Sequence, residues 1–262
     1  MTRGLAIVVA HPDDDTWGAT GTAALHANDP GFELTVIHVT SGEAGEIADP
    51  SLATRETLGP AREAEDDASW KALGVVPARH EYFRHPDGGV PDIPREELVS
   101  RIAQVLVEAR PDVVITFGPE GVTAHRDHVA VGEATTEAFR LARSRTGGAG
   151  LRRLLWVCIG EGELVRFSEE LVARGMDPID STQPYQPRGV PDERVHVAVD
   201  CSSVWRRKRI ALAEHKTQGG GADFPEDLYP ELLGRETFTI AWPERSPDQP
   251  MLGDVFEGLG GS

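Results

Sequence analysis

The chain has 262 residues, enough to bury a full core as one large α/β domain or two small ones. Hydrophobic residues make up 39% and charged residues 26%, the balance of a soluble globular protein, and no run of about eighteen apolar residues is present to cross a membrane. The net charge of −17 argues against nucleic acid as a partner, because phosphate binding needs a basic surface.

The first element follows Met-Thr-Arg almost directly. Leu5–Ala10 (LAIVVA) is apolar and rich in β-branched residues, too short for the apolar part of a signal peptide, and followed at once by His11 and three aspartates. It reads as a buried strand of a cytoplasmic protein. Gly18–Ala27 is alanine-rich and helical in pattern, and Glu33–Val39 (ELTVIHV) is a second strand. Residues 60–73 open with Pro60 and stop before Gly74, as a helix does. Glu96–Ala109 is the next helix, Asp112–Phe117 (DVVITF) a strand after the Arg110-Pro111 break, and Asp127–Arg143 a helix. Leu154–Ile159 and Val195–Val199 complete the strands, Leu164–Arg174 and Ser202–Lys216 the helices, with Asp200 or Ser202 as cap for the last. Short apolar runs bounded by turn residues suit strands covered on both faces. The alternation predicts a Rossmann-like, doubly wound α/β fold, with a mostly parallel sheet and helices on both faces.

No repeat or long linker interrupts the chain, so residues 1–262 read as a single domain. The tail, 243–262, has the Pro, Gly and acid content of a flexible segment. Cys158 and Cys201 lack metal-type spacing and read as small buried hydrophobes. The basic cluster Trp205–Arg209 reads as a solvated helix face.

Two clusters carry chemistry. The strand Leu5–Ala10 runs into His11-Pro12-Asp13-Asp14-Asp15, where open α/β sheets keep their ligands, just past the carboxyl end of a strand. Adjacent carboxylates repel one another, and a divalent metal would compensate them; His with Asp is zinc chemistry. The competing reading is an acidic loop capping the next helix, which accounts for one or two aspartates but not for His11. The strand Asp112–Phe117 leads likewise into His125-Arg126-Asp127-His128, where two histidines on one helical turn can face one point and Asp127 can orient an imidazole. His38 reads as a satisfied core histidine, His26, His80 and His196 have no ligand-like neighbours in sequence, and His85-Pro86-Asp87-Gly88 reads as a turn.

This pairing resembles the PIG-L (LmbE-like) deacetylase family. Thr40-Ser41-Gly42-Glu43-Ala44-Gly45, Arg62 with Glu65, Leu73-Gly74-Val75, Pro86-Asp87-Gly88 and His215-Lys216-Thr217-Gln218 support it, so that the likeness covers roughly residues 4 to 220. The resemblance implies a zinc-dependent hydrolase that removes acetyl from an N-acetylated amino sugar or its conjugate; the charge speaks against nucleic acid as partner, and the lack of a long apolar run against a membrane. His11, Asp14 and His128 would bind Zn²⁺, with Fe²⁺ the competing ion because two histidines and a carboxylate also make the ferrous triad. Asp13 would be the general base. His125 would stabilise the oxyanion or protonate the amine, Asp127 would orient a histidine, and Arg62 and Asp87 would contact substrate. Asp15 replaces the family's usual glutamate, and Thr123 stands where the mycothiol-pathway deacetylase has tyrosine, so phenolic help to the oxyanion must come from elsewhere or be absent. The alternatives are an amidase of the same fold acting on a thiol conjugate or secondary metabolite, and a non-catalytic nucleotide- or metal-binding α/β protein. The absence of Gly-x-Gly-x-x-Gly after the first strand speaks against nucleotide.

Overall fold

The structure, a computed structural model, describes residues 3–221, 224–246 and 248–260. Along the chain lie β1 (Arg3–Val9), α1 (Asp14–Gly18), α2 (Thr20–His26), β2 (Phe32–Thr40), α3 (Leu58–Leu73), β3 (Arg79–His85), α4 (Arg95–Ala109), β4 (Val113–Phe117), α5 (Gly121–Ala124), α6 (Arg126–Arg145), β5 (Arg153–Val157), α7 (Glu161–Ala173), β6 (Val197–Asp200), α8 (Trp205–Leu212), α9 (Tyr229–Leu233) and β7 (Arg235–Trp242). Among the described residues, seven strands form one sheet in the order β3-β2-β1-β4-β5-β7-β6. β3, β2, β1, β4 and β5 pair in parallel, and β7 runs antiparallel between β5 and β6. The expected doubly wound, mostly parallel α/β sheet is what forms.

The continuous apolar runs are the middle strands. Leu5, Ile7 and Val8 of β1 and Val113, Val114 and Ile115 of β4 are fully buried, because helices cover both faces. α4 packs on α6 on one face, and α3 on α8, with α2, on the other. Burying each such side chain contributes roughly 1.5–3 kcal/mol. α3 ends where its sequence says it must: Gly74 takes φ 77°, a left-handed cap.

Two strands escaped the apolar pattern. β3 reads Arg79-His-Glu-Tyr-Phe-Arg-His85, with only Phe83 buried, because it is the sheet's edge and faces water on one side. β7 alternates, as in Thr237-Phe238-Thr239-Ile240, and sits near the opposite edge. The helix expected over Gly18–Ala27 is broken at Ala19 (φ −151°) into α1 and α2. That expected over Ser202–Lys216 is confined to α8, and Asp200 accepts the Ser202 N–H instead of capping it.

Lys208 corrects the reading of Trp205–Arg209 as a solvated face. It is 1% exposed, with Nζ 2.7 Å from Glu236 Oε1, and Glu236 also accepts N–H bonds from Gly21 and Thr22 at the start of α2. Even a short helical run contains more than one face, and sequence alone did not show which residue of the cluster pointed inward. Both cysteines are buried and free, as expected, and burial pushes the Cys158 thiol up to about 11. Within the segment that composition marks as flexible, Val255 and Phe256 are buried against the core and Arg153 donates to the Val255 carbonyl, at 2.6 Å. No helix among the described residues is long and apolar enough to cross a membrane.

Candidate active site

The direction in which the chain winds reverses between β1 and β4. β2 and β3 are laid down on one side of β1, β4 and β5 on the other, and the carboxyl ends of β1 and β4 flank the crevice where such sheets bind ligands. β1 and β4 are hydrogen-bonded neighbours in parallel register, Ile7 opposite Ile115. His11 and His125, far apart in sequence, therefore meet with ring centroids 4.8 Å apart, and His11 and His128 at 5.3 Å.

α6 comes this close because of Gly132. A Cβ there would lie 2.4 Å from the Phe117 carbonyl oxygen, so only glycine lets the helix rest on the end of β4. His128 then stacks on Phe117 with centroids 4.2 Å apart and planes 6° from parallel. On the other side, Asp14 Oδ2 accepts the His11 backbone N–H at 2.8 Å and closes the loop after β1. Asp13 takes φ 104° there, left-handed backbone that aspartate tolerates better than most residues.

Three donors form a small triangle. His11 Nδ1 lies 3.2 Å from Asp14 Oδ2, His128 Nε2 3.2 Å from Asp14 Oδ1, and the two nitrogens are 3.3 Å apart. Ligands of a tetrahedral zinc ion at about 2.0–2.1 Å sit roughly 3.3 Å from one another; the two nitrogens keep that spacing and each meets a different oxygen of Asp14 at it, so the carboxylate bridges them and the residues can hold such an ion. The remaining ring nitrogens fix the imidazoles. His128 Nδ1 donates to the Gly121 carbonyl at 2.9 Å, which leaves the Nε2 lone pair facing the triangle. His11 Nε2 faces Asp87 Oδ1 at 3.0 Å and Asp127 Oδ2 at 3.4 Å. A carboxylate or carbonyl behind each ligating histidine is how metal sites hold ring and tautomer.

The charges agree. Burial alone would lower the His11 pKa, yet the carboxylates of Asp127, Asp14 and Asp87 hold it well above its usual value. Burial would raise Asp14, but His128 and His11 hold it well below the usual carboxylate range. The cluster calls for positive charge between the imidazoles, which protons and a cation compete to supply. Asp13, outside the triangle, is pushed up to about 6 by burial, with Arg62 opposing and Asp14 adding to the shift. Burial first, then His11 and His128, lower the His125 pKa. His125 Nδ1 accepts the Asp127 backbone N–H at 3.2 Å, so Nε2 is the atom that can carry a proton.

A family model described as GlcNAc-PI de-N-acetylase (PIG-L) matches residues 6–139, which include both histidine motifs. This chain belongs to the PIG-L family. Among its relatives is the 1D-myo-inositol 2-acetamido-2-deoxy-alpha-D-glucopyranoside deacetylase of Geodermatophilus obscurus, 31% identical over 99% of each chain. The fold is shared with the conserved protein TT1542 of Thermus thermophilus (TM-score 0.62, 21% identity, 95% of this chain and 99% of that one). It is shared equally with GalB, the 4-carboxy-2-hydroxymuconate hydratase of Pseudomonas putida (TM-score 0.61, 20% identity, 94% and 98%). A hydratase on the same sheet means that fold does not choose the reaction; the site must.

In this PIG-L member the structure gathers His11, Asp13, Asp14, His125, Asp127 and His128 at one rim, as the two motifs implied. Arg62 and Asp87 have partners within the protein. Arg62 is 5% exposed, donating to the carbonyls of Gly42 (2.9 Å) and Pro12 (2.6 Å) and to Asp13 Oδ2 (3.0 Å). Asp87 sits in the expected turn, where Gly89 N–H bonds the Pro86 carbonyl, but it also reaches His11 and accepts the Ala44 N–H. Both brace the loop after β1 from behind. Burial of Asp87 is outweighed by His11, which lowers its pKa to about 2.

Sequence reasoning missed Tyr185, whose ring lies 5.1 Å from that of His125. It comes from the loop after α7, which is tied to α5 by the Arg188 N–H to the Val122 carbonyl, at 2.7 Å. No local pattern marks it. The reading of His38 as satisfied, and of His80 as lacking ligand-like neighbours, is corrected too. His38 Nε2 is buried without a hydrogen-bond partner, and His80 lies between Asp66 and Asp67. Those partners sit on α3 and could not be paired with β2 and β3 before the fold was known.

Proposed function

We propose that this chain removes the acetyl group from an N-acetylated amino sugar, or from a conjugate of one, by adding water across the amide. The observation that carries the reading is the triangle of His11, Asp14 and His128, flanked by Asp13 and His125. An amide-hydrolysing enzyme of this family works with a metal. We assign zinc, on the fit of two imidazoles and one carboxylate. Metal analysis of anaerobically purified protein separates it from iron(II). We also read the chain as one catalytic domain, since its strands join a single sheet.

When bound, the cation supplies a Lewis acid for the carbonyl and lowers the pKa of a water it holds to about 7. The chain's own groups do the rest. Asp13, held off the triangle by Arg62, accepts the proton of the attacking water. His125 Nε2 donates a hydrogen bond to the carbonyl oxygen as it gains negative charge, and the proton that Asp13 took from water passes to the departing amine. Asp87 and Asp127 keep His11 in the tautomer whose Nδ1 lone pair faces inward. The apolar ring of Phe117 backs His128 and shields it from water on that side.

The test is acetate release after chelation and zinc return, on a panel of N-acetylglucosamine derivatives, the inositol glycoside included, beside larger amides. Zinc is expected to restore acetate release from at least one N-acetyl sugar. If only the larger amides are cleaved, the sugar assignment fails.

We assign Tyr185, whose ring lies 5.1 Å from that of His125, the phenolic help to the oxyanion that a tyrosine at position 123 would otherwise supply. Tyr185→Phe is expected to lower kcat about tenfold with KM unchanged, the worth of one hydrogen bond to a developing charge. A rise in KM at constant kcat would make the ring a platform for substrate instead.

A further inference from the structure

A second group of histidines and carboxylates lies under α3, at the β3 edge of the sheet, and none of its members belongs to the site above. His38 stands on β2, His80 on the neighbouring β3 and Asp66 on α3. His38 Nδ1 and His80 Nε2 are 3.3 Å apart, His80 Nε2 is 3.1 Å from Asp66 Oδ2, and one donor from each of the three lies within 4.8 Å of the others.

We propose that His38, Asp66 and His80 form a second divalent-cation site, separate from the active site. Three observations support it. Two of the three separations, 3.1 and 3.3 Å, match those between ligands of one tetrahedral ion, roughly 3.3 Å, and the third, from His38 to Asp66, lies within 4.8 Å. The outer nitrogen of His80 faces a carboxylate, Nδ1 lying 3.0 Å from Asp67 Oδ1, and His38 Nε2 lies between two, 3.6 Å from Asp15 Oδ1 and 3.8 Å from Asp66 Oδ2. That is the arrangement by which proteins orient ligating histidines. Finally, His38 and Asp66 are fully buried, and Asp66 Oδ1 has no hydrogen-bond partner among the described residues. Polar side chains this deep are ordinarily satisfied, and a cation balances a carboxylate that the protein's own hydrogen bonds leave half-served.

The donor set of two imidazoles and one carboxylate suits zinc or another late first-row ion. The surroundings are those of a structural site. The Tyr82 ring stacks on His38 at 5.1 Å and its hydroxyl donates to Asp66 Oδ2 at 3.2 Å, so little room remains for substrate. Entry is from the β3 edge, where Asp67 is exposed and His80 partly so. An ion here would tie the edge strand to β2 and α3. Through Asp15 it would also brace the loop that carries Asp13 and Asp14.

The experiment is a metal count on chelator-stripped, zinc-reloaded and dialysed protein, which needs no substrate and stands whatever amide the enzyme cleaves. Wild type is expected to hold two zinc ions per chain. His80→Gln and Asp66→Asn are each expected to hold one, and Asp14→Asn is expected to lose the other. Wild-type crystals measured at the zinc edge should show anomalous density between His38, Asp66 and His80, which covers the case in which a variant fails to fold. A single ion in wild type, two ions retained in both His80→Gln and Asp66→Asn, or no anomalous peak at the cluster would overturn the proposal.

Discussion

Asp13→Asn is expected to keep its active-site metal and to lose turnover by a factor of about 10²–10⁴, the range that a positioned general base contributes. Asparagine is the better probe than alanine. It has nearly the shape of aspartate, tolerates the left-handed backbone at φ 104°, and can still accept the Arg62 N–H, but it cannot take a proton from water. Alanine would add backbone strain and leave Arg62 without its side-chain partner. Because Asp13 lies outside the triangle of His11, Asp14 and His128, metal content should be unchanged, and Asp14→Asn provides the contrast by losing metal and activity together. The pH profile gives a second readout. Burial holds the Asp13 carboxyl up at about 6, and a base works only when deprotonated, so kcat/KM should rise with pH through that region. A bound cation favours the ionised form and moves the rise lower, not higher. Asp13→Asn should lose this limb. A variant with near-wild-type kcat would remove Asp13 from the mechanism.

Lys208→Met is expected to destabilise the fold by about 3–5 kcal/mol, the cost of stripping one partner from a buried ion pair. The pair is closed to water, with both side chains 1% exposed and Nζ to Oε1 at 2.7 Å. Glu236 would keep its N–H bonds from Gly21 and Thr22 and the Thr22 hydroxyl bond, but its charge would be uncompensated. Lys208 also donates to the Trp17 carbonyl, at 3.3 Å. The pair therefore clamps α1 and the start of α2, the corner that directly follows Asp13 and Asp14. Urea unfolding should show the loss, and adding Glu236→Gln to Lys208→Met should recover part of it by removing the stranded charge. A single variant within about 1 kcal/mol of wild type would show that the corner does not depend on the pair.

The sequence by itself determined the middle of the sheet and the two ends of the active site. A strand buried on both faces must be apolar throughout, so Leu5–Ala10 and Asp112–Phe117 declared themselves, and the histidines and aspartates immediately after them had to lie at strand ends. Within each motif the spacing is local, and local geometry follows from the backbone: Asp14 folds back on His11, and His128 stands one helical turn from His125. That the two motifs share a site rested on family resemblance, and the adjacency of β1 and β4 makes it physical. Only the tertiary structure decided which polar residues are buried and whom they meet. β3 carried no apolar run because an edge strand need not have one. Lys208, Tyr185, and the trio of His38, Asp66 and His80 each depend on partners from other elements, brought close by packing rather than by spacing. Charge in a sequence says that a residue can ionise; whether it faces water, a carboxylate or a metal is settled only when the sheet and its helices close around it.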